Sequence, residues 1–545
     1  MANFASKPTA SAEKLRGGYY TPQPIAEFVG RWAAQAGEKR LEPSCGDGAI
    51  LQELSADGSE EVVGVELVDS EAVKARSKTA GVVLESDFFA WFTSERHESF
   101  DAVAGNPPYI HFGSWLEEHR AGAFELMIGQ GLKPSRLTNA FVPFVVASVV
   151  AVRPGGRIAL VLPAELLQVG YASELRRYLV DNCSEITIVS FRHLVFDGIL
   201  QEVVLLLAVR GDGPALIRTL ELDDTASLAT ANLDTRPAVR APLHDKEKWT
   251  KYFLEPSAIA VLRELRSGSR LIPLGHLASV EVGVVSGRNS FFCMSAEQAR
   301  NRGLWEWTVP LVSRSQQVVG LSYGARDLEM FEDSDKNTRL LSVPNDVDID
   351  ESPALKAYIL SGEAEGVHTG YKCRIRSPWW KIPKPWVPAA FMLRQVGSFP
   401  RLVVNQTGAT STDTVHRVRL LDPTTDPAKL AVAAFNSATF AFCEVIGRSY
   451  GGGILELEPS EARELPVTHP EHIPVALISE VDALVRAGRV EDALEAVDQA
   501  VLIGILGFSA DEVTVLRNQW KRLRNRRMTR GKRRRDTSDG ELVGS

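Results

Sequence analysis

The stretch KRLEPSCGDGAILQEL (Lys39–Leu54) combines a short apolar strand, a turn with two glycines and the beginning of a helix. Three later segments repeat the strand pattern: EVVGVELV (61–68), GVVLESDFF (81–89) and FDAVAGNPPY (100–109). The residues that follow these four strands are spaced 20, 21 and 19 positions apart: Gly46, Glu66, Asp87 and Asn106. This is the period of successive strand–helix units. The sequence therefore predicts a doubly wound α/β sheet that binds its ligands at the carboxyl ends of the strands.

The composition is that of an ordinary globular protein, with 44% hydrophobic and 24% charged residues. A chain of 545 residues is too long for one core and predicts two or three domains. The apolar run at 140–152 is shorter than the roughly 20 residues that cross a bilayer, and no apolar secretory signal begins the chain. The five scattered cysteines fit neither a disulfide framework nor a zinc site. We expect a cytoplasmic bacterial protein that uses neither a metal nor a membrane.

The pattern changes twice along the chain. Strand and helix segments alternate to about residue 211, and an irregular linker with some strand content then continues to about 250. From 255 to 468 the sequence has short strands with Trp, Pro and Gly, and from 469 it has a helical pattern that ends in basic residues. Three regions are therefore predicted: an α/β domain at 1–250, an α+β domain at 255–468 and a helical extension with a basic tail at 469–545.

The net charge of −8 is unevenly distributed. From Arg517 to the end there are 11 Lys and Arg against 3 Asp and Glu, a net charge of about +8, which leaves about −16 for the rest. The block KRLRNRRMTRGKRRR (521–535) repels itself and attracts phosphate. It is either a solvated tail or a nucleic-acid contact that begins with Lys521 and Arg522.

The residues at the strand ends suit a nucleoside-type cofactor. The turn LEPSCGDG lets the backbone approach a ligand closely, although it is neither a dinucleotide fingerprint nor a phosphate-binding loop. Glu66 is placed to accept hydrogen bonds from ribose hydroxyls, and Asp87 with Phe88 is placed to meet an adenine amino group and ring. The two candidates at this point are a dinucleotide and S-adenosylmethionine.

The segment GNPPY (105–109) distinguishes between these cofactors. Hydride transfer has no use for Asn-Pro-Pro-Tyr, whereas methylation of an aryl or amide NH2 group does, because the nitrogen lone pair is delocalised. The Asn106 side-chain oxygen and the Pro107 carbonyl can each accept one N–H bond and direct the lone pair at a methyl donor. Tyr109 can stack on the target ring, which must leave the duplex by base flipping.

In this order, the motifs GGYYTP (17–22), LEPSCGDG, VGVEL, SDFF and GNPPY resemble the DNA adenine amino-methyltransferases. The closer resemblance is to the gamma motif order, in which a target-recognition domain follows; the Thermus aquaticus TCGA methyltransferase is its type. The resemblance implies a Rossmann-like domain with a mixed seven-stranded sheet and S-adenosylmethionine as the cofactor. It also implies these cofactor-binding residues: Thr21, Glu42, Ser44, Gly46, Gly48, Glu66, Leu67, Asp87, Phe88 and Asn106.

The same resemblance implies catalytic residues and a DNA-binding second half. The catalytic set is Asn106, Pro107, Pro108, Tyr109 and, opposite the tyrosine, Phe196. In the region 255–468, which resembles the recognition domain more weakly, four residues are candidates for phosphate or base contacts: Arg288, Arg314, Arg448 and Tyr450. The implied partner is double-stranded DNA, read by a monomer whose cognate restriction endonuclease is encoded separately.

Several alternatives remain open from the sequence. The same tetrapeptide serves N4-methylation of cytosine, and a glutamine amide in a protein or an adenine in RNA poses the same chemical problem. A non-catalytic DNA-binding subunit would have lost the cofactor turn or Asn106, and both are present. Cys45 lacks the Pro-Cys context of a cytosine-C5 nucleophile. Site-specific N6-methylation of DNA adenine is the function that the sequence favours.

Overall fold

The computed structural model describes residues 20–193, 195, 202–235, 237–244, 247–344, 346–383, 385–450 and 453–530. It divides into two compact units. The first unit comprises the residues up to Pro256 and those from Met528 onward, and the second runs from Ser257 to Arg527. Each unit has its own sheets and its own buried core.

The first unit is built on one large mixed sheet in the order β3-β2-β1-β4-β5-β7-β6-β8-β9. Its strands are β1 Arg40–Glu42, β2 Val62–Glu66, β3 Val82–Glu85, β4 Phe100–Gly105, β5 Val152–Pro163, β6 Cys183–Phe191, β7 Val203–Arg210, β8 Leu216–Leu222 and β9 Val239–Arg240. Strands β1 to β5 are mutually parallel, and β7 pairs antiparallel with both β5 and β6. The carboxyl ends of β1, β2, β3 and β4 therefore lie at one edge.

Helices cover this sheet: Gln23–Ala34, Ala49–Leu54, Asp69–Arg76, Phe88–Trp91, Glu117–Gly129, Phe141–Ala151 and Ser173–Asn182. The apolar helix Phe141–Ala151 is buried along its whole length. The core combines helix residues such as Ile25 and Leu51 with strand residues such as Val161 and Leu205. By length and composition, no single described helix can cross a membrane; one bent pair, Pro427–Ala433 with Ser437–Ile446 at 74°, passes that test.

The sheet has nine strands, so the prediction of seven is wrong. The seven expected strands form the order 3-2-1-4-5-7-6, and β8 and β9 extend it beyond β6. Strand β8 pairs in parallel with β6 over seven residue pairs. The irregular sequence after Gly211 predicts a linker with some strand content here, not two further strands of this sheet. In LIRTLEL, only Ile217 and Thr219 are buried, which is the alternation of a half-exposed strand near a sheet edge.

The second unit contains four smaller sheets: β11-β20-β16-β18-β14, β12-β15-β13-β19, β17-β22-β21 and β10-β23. Its strands are β10 Ile272–Pro273, β11 Ala278–Glu281, β12 Cys293–Ser295, β13 Thr308–Val312, β14 Ser322–Tyr323, β15 Asn337–Leu341, β16 Ala390–Leu393, β17 Gln395–Val396, β18 Leu402–Asn405, β19 Thr410–Ser411, β20 Val415–Leu420, β21 Arg448–Tyr450, β22 Ile454–Glu456 and β23 Pro466–Val467.

Helices accompany these sheets throughout the unit: Pro256–Ser267, Asn289–Phe292, Ala296–Asn301, Ala325–Glu332, Pro353–Ala364, Tyr371–Arg374, Pro427–Ala433, Ser437–Ile446, Pro459–Arg463, Val475–Arg486, Val490–Val497 and Ala510–Arg530. The last helix packs on the unit through Trp520, whose ring contacts Phe440 edge-to-face at 5.1 Å. The beginning of the basic block therefore belongs to a folded helix.

Arg527, within the basic block, is buried rather than solvated. It is 3% exposed, and so is its partner Glu444. Arg527 donates from Nη2 to Glu444 Oε1 at 2.6 Å and from Nε to Oε2 at 3.1 Å. A further donation from Nη2 reaches the Gly397 carbonyl at 2.8 Å. Burial raises the pKa of Glu444, and the Arg527 charge opposes that rise.

We expect Arg527→Met to lower the free energy of unfolding by about 3–5 kcal/mol, because it leaves the Glu444 carboxylate buried without its counter-charge. The double variant Arg527→Met/Glu444→Leu removes both charges and should recover most of the loss. Urea unfolding of the single and double variants measures the difference. A single variant as stable as the wild type would contradict the buried pair. The exposed pair Lys521–Glu491 is the control, and its disruption should cost less than about 1 kcal/mol.

Candidate active site

A cavity of about 400 Å3 opens at the carboxyl edge of β1 to β4. The predicted residues that line it are Thr21, Glu42, Ser44, Gly46, Glu66, Leu67, Asp87, Phe88, Asn106 and Pro108. Gly48, Pro107 and Tyr109 are close in sequence but do not line the cavity. Phe196 lies outside the described residues. One pocket wall is thus made from the ends of four consecutive strands, as the spacing of these residues leads one to expect.

The turn after β1 forms the floor of the cavity because two glycines adopt left-handed backbone angles. Gly46 has φ +50° and Gly48 has φ +83°. A Cβ at Gly48 would lie 2.7 Å from the Ala75 Cα, so a side chain there would push the turn away from the helix Asp69–Arg76. A Cβ at Gly46 would have no heavy atom within 4 Å. The backbone at Gly46 is therefore open to a ligand.

Glu66 holds this turn in place from the end of β2. Its Oε2 accepts from the Gly46 N–H at 2.9 Å, and its Oε1 accepts from the Val68 N–H at 2.9 Å. Burial raises the pKa of Glu66, while these backbone donors lower it. Each oxygen keeps a second lone pair, so the carboxylate can still accept from a ligand hydroxyl.

Glu42, at the end of β1, is a buried carboxylate with an unsatisfied oxygen. It is 2% exposed, and no described group donates to its Oε2. Burial raises its pKa well above the ordinary range, and the nearby carboxylates Asp47 and Glu66 raise it further. An acceptor left without a partner costs roughly 1–3 kcal/mol. A cationic ligand group in the cavity would remove that cost.

Asp87 and Phe88 begin a short helix at the next strand end. Asp87 caps the helix, because its Oδ1 accepts from the Ala90 N–H at 2.9 Å. Its Oδ2 lies 2.8 Å from His119 Nδ1. The Phe88 ring stacks on Phe144 with ring centres 5.3 Å apart. This side of the cavity therefore combines buried, stacked aromatic rings with a carboxylate.

Asn106 lies directly after β4. It lines the cavity together with the residues predicted to bind the cofactor. Its Nδ2 donates to Thr21 Oγ1 at 3.2 Å. The Tyr109 hydroxyl lies 2.9 Å from Asn106 Oδ1 and 2.9 Å from the Val161 carbonyl. Within the described residues, no group donates a hydrogen bond to the Pro107 carbonyl. Two acceptor oxygens thus occur together at this strand end.

Sequence reasoning missed part of the cavity lining: Tyr20, Glu71, Phe89, Ile110, Ser114, Trp115, Leu116, His119 and Phe144. Phe144 reads as an ordinary core residue in a fully apolar helix. Residues 110–119 carry no motif, and they reach the cavity through tertiary contacts such as that of His119 with Asp87. Tyr20 was detectable, since it precedes Thr21 in GGYYTP, and its hydroxyl donates to Glu71 Oε1 at 3.2 Å.

The residues predicted for DNA contact lie in the second unit and differ in their surroundings. Arg288 and Arg314 are exposed. Arg448 pairs with Glu461 at 2.8 Å and Lys521 with Glu491 at 2.7 Å, so both already have a carboxylate partner. Arg522 is half-buried on the C-terminal helix, and the Tyr450 side chain lies outside the described part. All five cysteines are free and buried. No metal-binding cluster of His, Cys, Asp or Glu occurs in the ranges that the structure describes.

The sheet order and the cavity at its carboxyl edge define an α/β enzyme of the nucleoside-cofactor type. Two family descriptions match the chain. "Eco57I restriction-modification methylase" matches residues 57–196, and "Type II methyltransferase M.Eco57I, C-terminal domain" matches residues 246–502. The chain therefore belongs with the Eco57I-like type II restriction-modification methyltransferases, which are DNA methyltransferases that use S-adenosylmethionine.

Two full-length relatives agree with this family. Type II methyltransferase M.AccI of Acinetobacter calcoaceticus is 21% identical over 81% of this chain and 83% of its own. Type II methyltransferase M.XamI of Xanthomonas campestris pv. amaranthicola is 23% identical over 87% and 89%. Among solved structures, the type IIL restriction-modification enzyme MmeI in complex with DNA shares the fold. Its TM-score is 0.56 with 11% identity, over 92% of this chain and 75% of that one.

Proposed function

We propose that this protein is a site-specific methyltransferase that methylates N6 of a flipped-out adenine in double-stranded DNA. It would be the modification enzyme of a system whose restriction endonuclease is a separate chain. The observation that carries the proposal is the position of Asn106, which lines the same cavity as Glu42, Glu66 and Asp87. A target amine held by Asn106 would lie next to whatever these acids bind. The gamma motif order and the kinship with the Thermus aquaticus TCGA enzyme are part of the proposal.

The residues of the cavity fit S-adenosylmethionine. The unsatisfied Oε2 of Glu42 suits the ammonium group of the methionine part, with Thr21 and Ser44 beside it. Glu66 would accept from the ribose hydroxyls next to Leu67. Asp87 would accept from the adenine amino group, while Phe88 packs on its ring. Gly46 leaves its backbone open for close approach, and Gly48 lets the turn lie close to the helix Asp69–Arg76.

When bound, the cofactor would supply an electrophilic methyl carbon on a sulfonium, from which an attacking nitrogen lone pair displaces the sulfur as a neutral thioether. Asn106 Oδ1 and the Pro107 carbonyl would accept the two N–H bonds of the target amine, so that its lone pair leaves the plane of the ring. Pro107 and Pro108 fix the backbone of this turn, since neither has a free φ angle. No titrating base is needed before transfer, because the amine loses its proton afterwards.

Tyr109 needs a rearrangement to act on the target base. Its hydroxyl is held between Asn106 and Val161, and its ring is partly buried against the core. The hydroxyl has one proton and two acceptors, so it donates to Asn106 Oδ1 or to the Val161 carbonyl and not fully to both. Stacking on the base remains a proposal for Tyr109, and so does the opposing role of Phe196.

Long-read sequencing with modified-base detection, on DNA from a methylation-free host that expresses the chain, tests the proposed function. We expect one sequence motif to carry N6-methyladenine. N4-methylcytosine would correct the base and keep the role of Asn106. Unmodified DNA, from a host that contains folded protein able to bind S-adenosylmethionine, would overturn the proposal and point to RNA or a protein amide. The Asn106→Ala chain in the same host is the control.

A further inference from the structure

A surface of the second unit combines exposed cations with exposed apolar side chains. It is formed where the loop 283–288 packs on the helix Tyr371–Arg374 and the residues that follow. Arg376 joins the two segments, because it donates to the Ser286 and Val285 carbonyls at 2.7 Å each. A Cβ at Gly287 would lie 2.9 Å from the Lys372 Cβ, so the loop lies directly on the helix.

Three cations project from this surface: Arg288, Lys372 and Arg374, all exposed. In the part of the chain that the structure describes, none of them forms an ion pair with a carboxylate. Arg288 and Arg376 are close enough to the buried Cys373 for their charges to lower its pKa against the effect of burial. One carboxylate, Asp413, contacts the loop through Asn289 Nδ2 at 3.4 Å. The three cations of this surface therefore outnumber the one carboxylate beside it.

This arrangement differs from that of three other arginines in the unit. Arg394, Arg448 and Arg486 each have a carboxylate within 3.0 Å, so their charge is already compensated. Between the unpaired cations lie three exposed apolar side chains. Tyr371 is 65% exposed, Ile375 60% and Val285 42%. Exposed apolar groups among unpaired cations indicate a surface that is covered when a partner binds.

We propose that this surface, which we call the 288/372 patch, contacts the phosphate backbone of the DNA substrate. The proposal rests on the proposed function, since it takes duplex DNA as the partner. Charge complementarity supports this occupant, because the chain as a whole carries −8 and these unpaired cations oppose that field locally. Arg288, Lys372 and Arg374 pair with phosphate oxygens, while Tyr371 and Ile375 pack on the sugars. Such contacts set affinity and orientation rather than the sequence that is read.

The experiment measures the binding of a fluorescein-labelled duplex at salt concentrations between about 50 and 200 mM. The triple variant Arg288→Ala/Lys372→Ala/Arg374→Ala should reduce the slope of log K against log salt by roughly 2–3, because each lost phosphate contact removes about one released cation. Lys372→Ala alone should reduce it by about 1. The methylated sequence motif should stay the same.

The matched control removes the same charge from cations of the same unit that already have acidic partners. Arg300, Lys336 and Lys356 pair with Glu332, Asp335 and Asp350, and the triple alanine variant at these positions should keep the wild-type slope. If the patch variants keep that slope while the wild type binds and methylates DNA, the 288/372 patch is wrong and the proposed function stands. If the wild type neither binds nor methylates duplex DNA, both fail. A thermal unfolding transition like that of the wild type shows that the variants are folded.

Discussion

Asn106→Ala is expected to lower kcat for methyl transfer by at least about 10²–10³-fold, a loss typical of removing one oriented catalytic hydrogen-bonding group. The alanine removes Oδ1, which is the acceptor that would draw the amine lone pair out of conjugation. The affinity for S-adenosylmethionine should change little, because Glu42, Glu66 and Asp87 line the cavity independently of this side chain. Methyl transfer from radiolabelled cofactor to duplex DNA measures kcat, and calorimetric titration measures the affinity.

A second asparagine of the same unit provides the control for this variant. Asn182 donates from Nδ2 to the Tyr178 carbonyl at 2.9 Å and does not line the cavity. Asn182→Ala should leave kcat unchanged. Normal turnover in Asn106→Ala would remove Asn106 from the mechanism, whichever base is methylated. A loss of cofactor binding equal to the loss of kcat would instead make Asn106 a cofactor ligand.

The strand ends could be located from sequence because their signals are local. Proline cannot continue a β-ladder, and a glycine turn marks the passage from strand to helix. Gly46, Glu66, Asp87 and Asn106 are therefore found in one cavity wall. Their chemical roles are still proposals, because position alone does not show what a side chain binds.

Features that depend on tertiary packing could not be predicted from the sequence. His119 lies 32 residues after Asp87 in the chain, yet its ring is 2.8 Å from that carboxylate, and no local pattern relates the two. Arg527 reads as one more charge in a basic block, although its environment is the buried Glu444. Some strand content was expected where β8 lies, but its place in the large sheet was not, because a half-exposed edge strand carries a weak alternating pattern. In each case the environment of the residue or strand is set by a contacting residue or strand that lies far away in the sequence.

The charges around the cavity are arranged to leave one acid without a counter-ion. Asp47 pairs with Lys78 at 2.8 Å, and Glu66 accepts two backbone N–H groups. Glu53, also buried, accepts from Gln23 at 3.0 Å and from Arg31 at 3.3 Å. Glu42 alone among these keeps an oxygen with no described donor. A negative charge on Glu42 therefore lowers the stability of the unliganded protein and favours the binding of a cationic ligand group.

Glu42→Gln should weaken S-adenosylmethionine binding about 10–100-fold, which corresponds to roughly 1.4–2.8 kcal/mol. The same substitution should stabilise the unliganded protein by about 1–3 kcal/mol, because the amide keeps the shape and removes the cost of a buried, poorly solvated charge. Calorimetric titration and thermal unfolding without cofactor measure the two effects. Equal cofactor affinity in both proteins would show that Glu42 does not hold the ammonium group.

The stability difference should depend on pH with a defined sign. Folding raises the pKa of Glu42. Above about pH 4.3, the pKa of a glutamate in the unfolded chain, the folded protein therefore keeps a proton on Glu42 that the unfolded chain has lost. The stability of the wild type consequently falls as pH rises. The amide in the Glu42→Gln variant does not titrate, so the two proteins should converge below about pH 4 and separate as pH increases. Wild-type cofactor affinity should rise over the same window, since the cation favours the charged carboxylate.

Glu53→Gln is the control. This substitution breaks satisfied contacts, so it should lower stability at neutral pH and leave cofactor affinity unchanged. If Glu53→Gln instead stabilised the protein as much as Glu42→Gln does, the effect at Glu42 would come from the loss of negative charge in general.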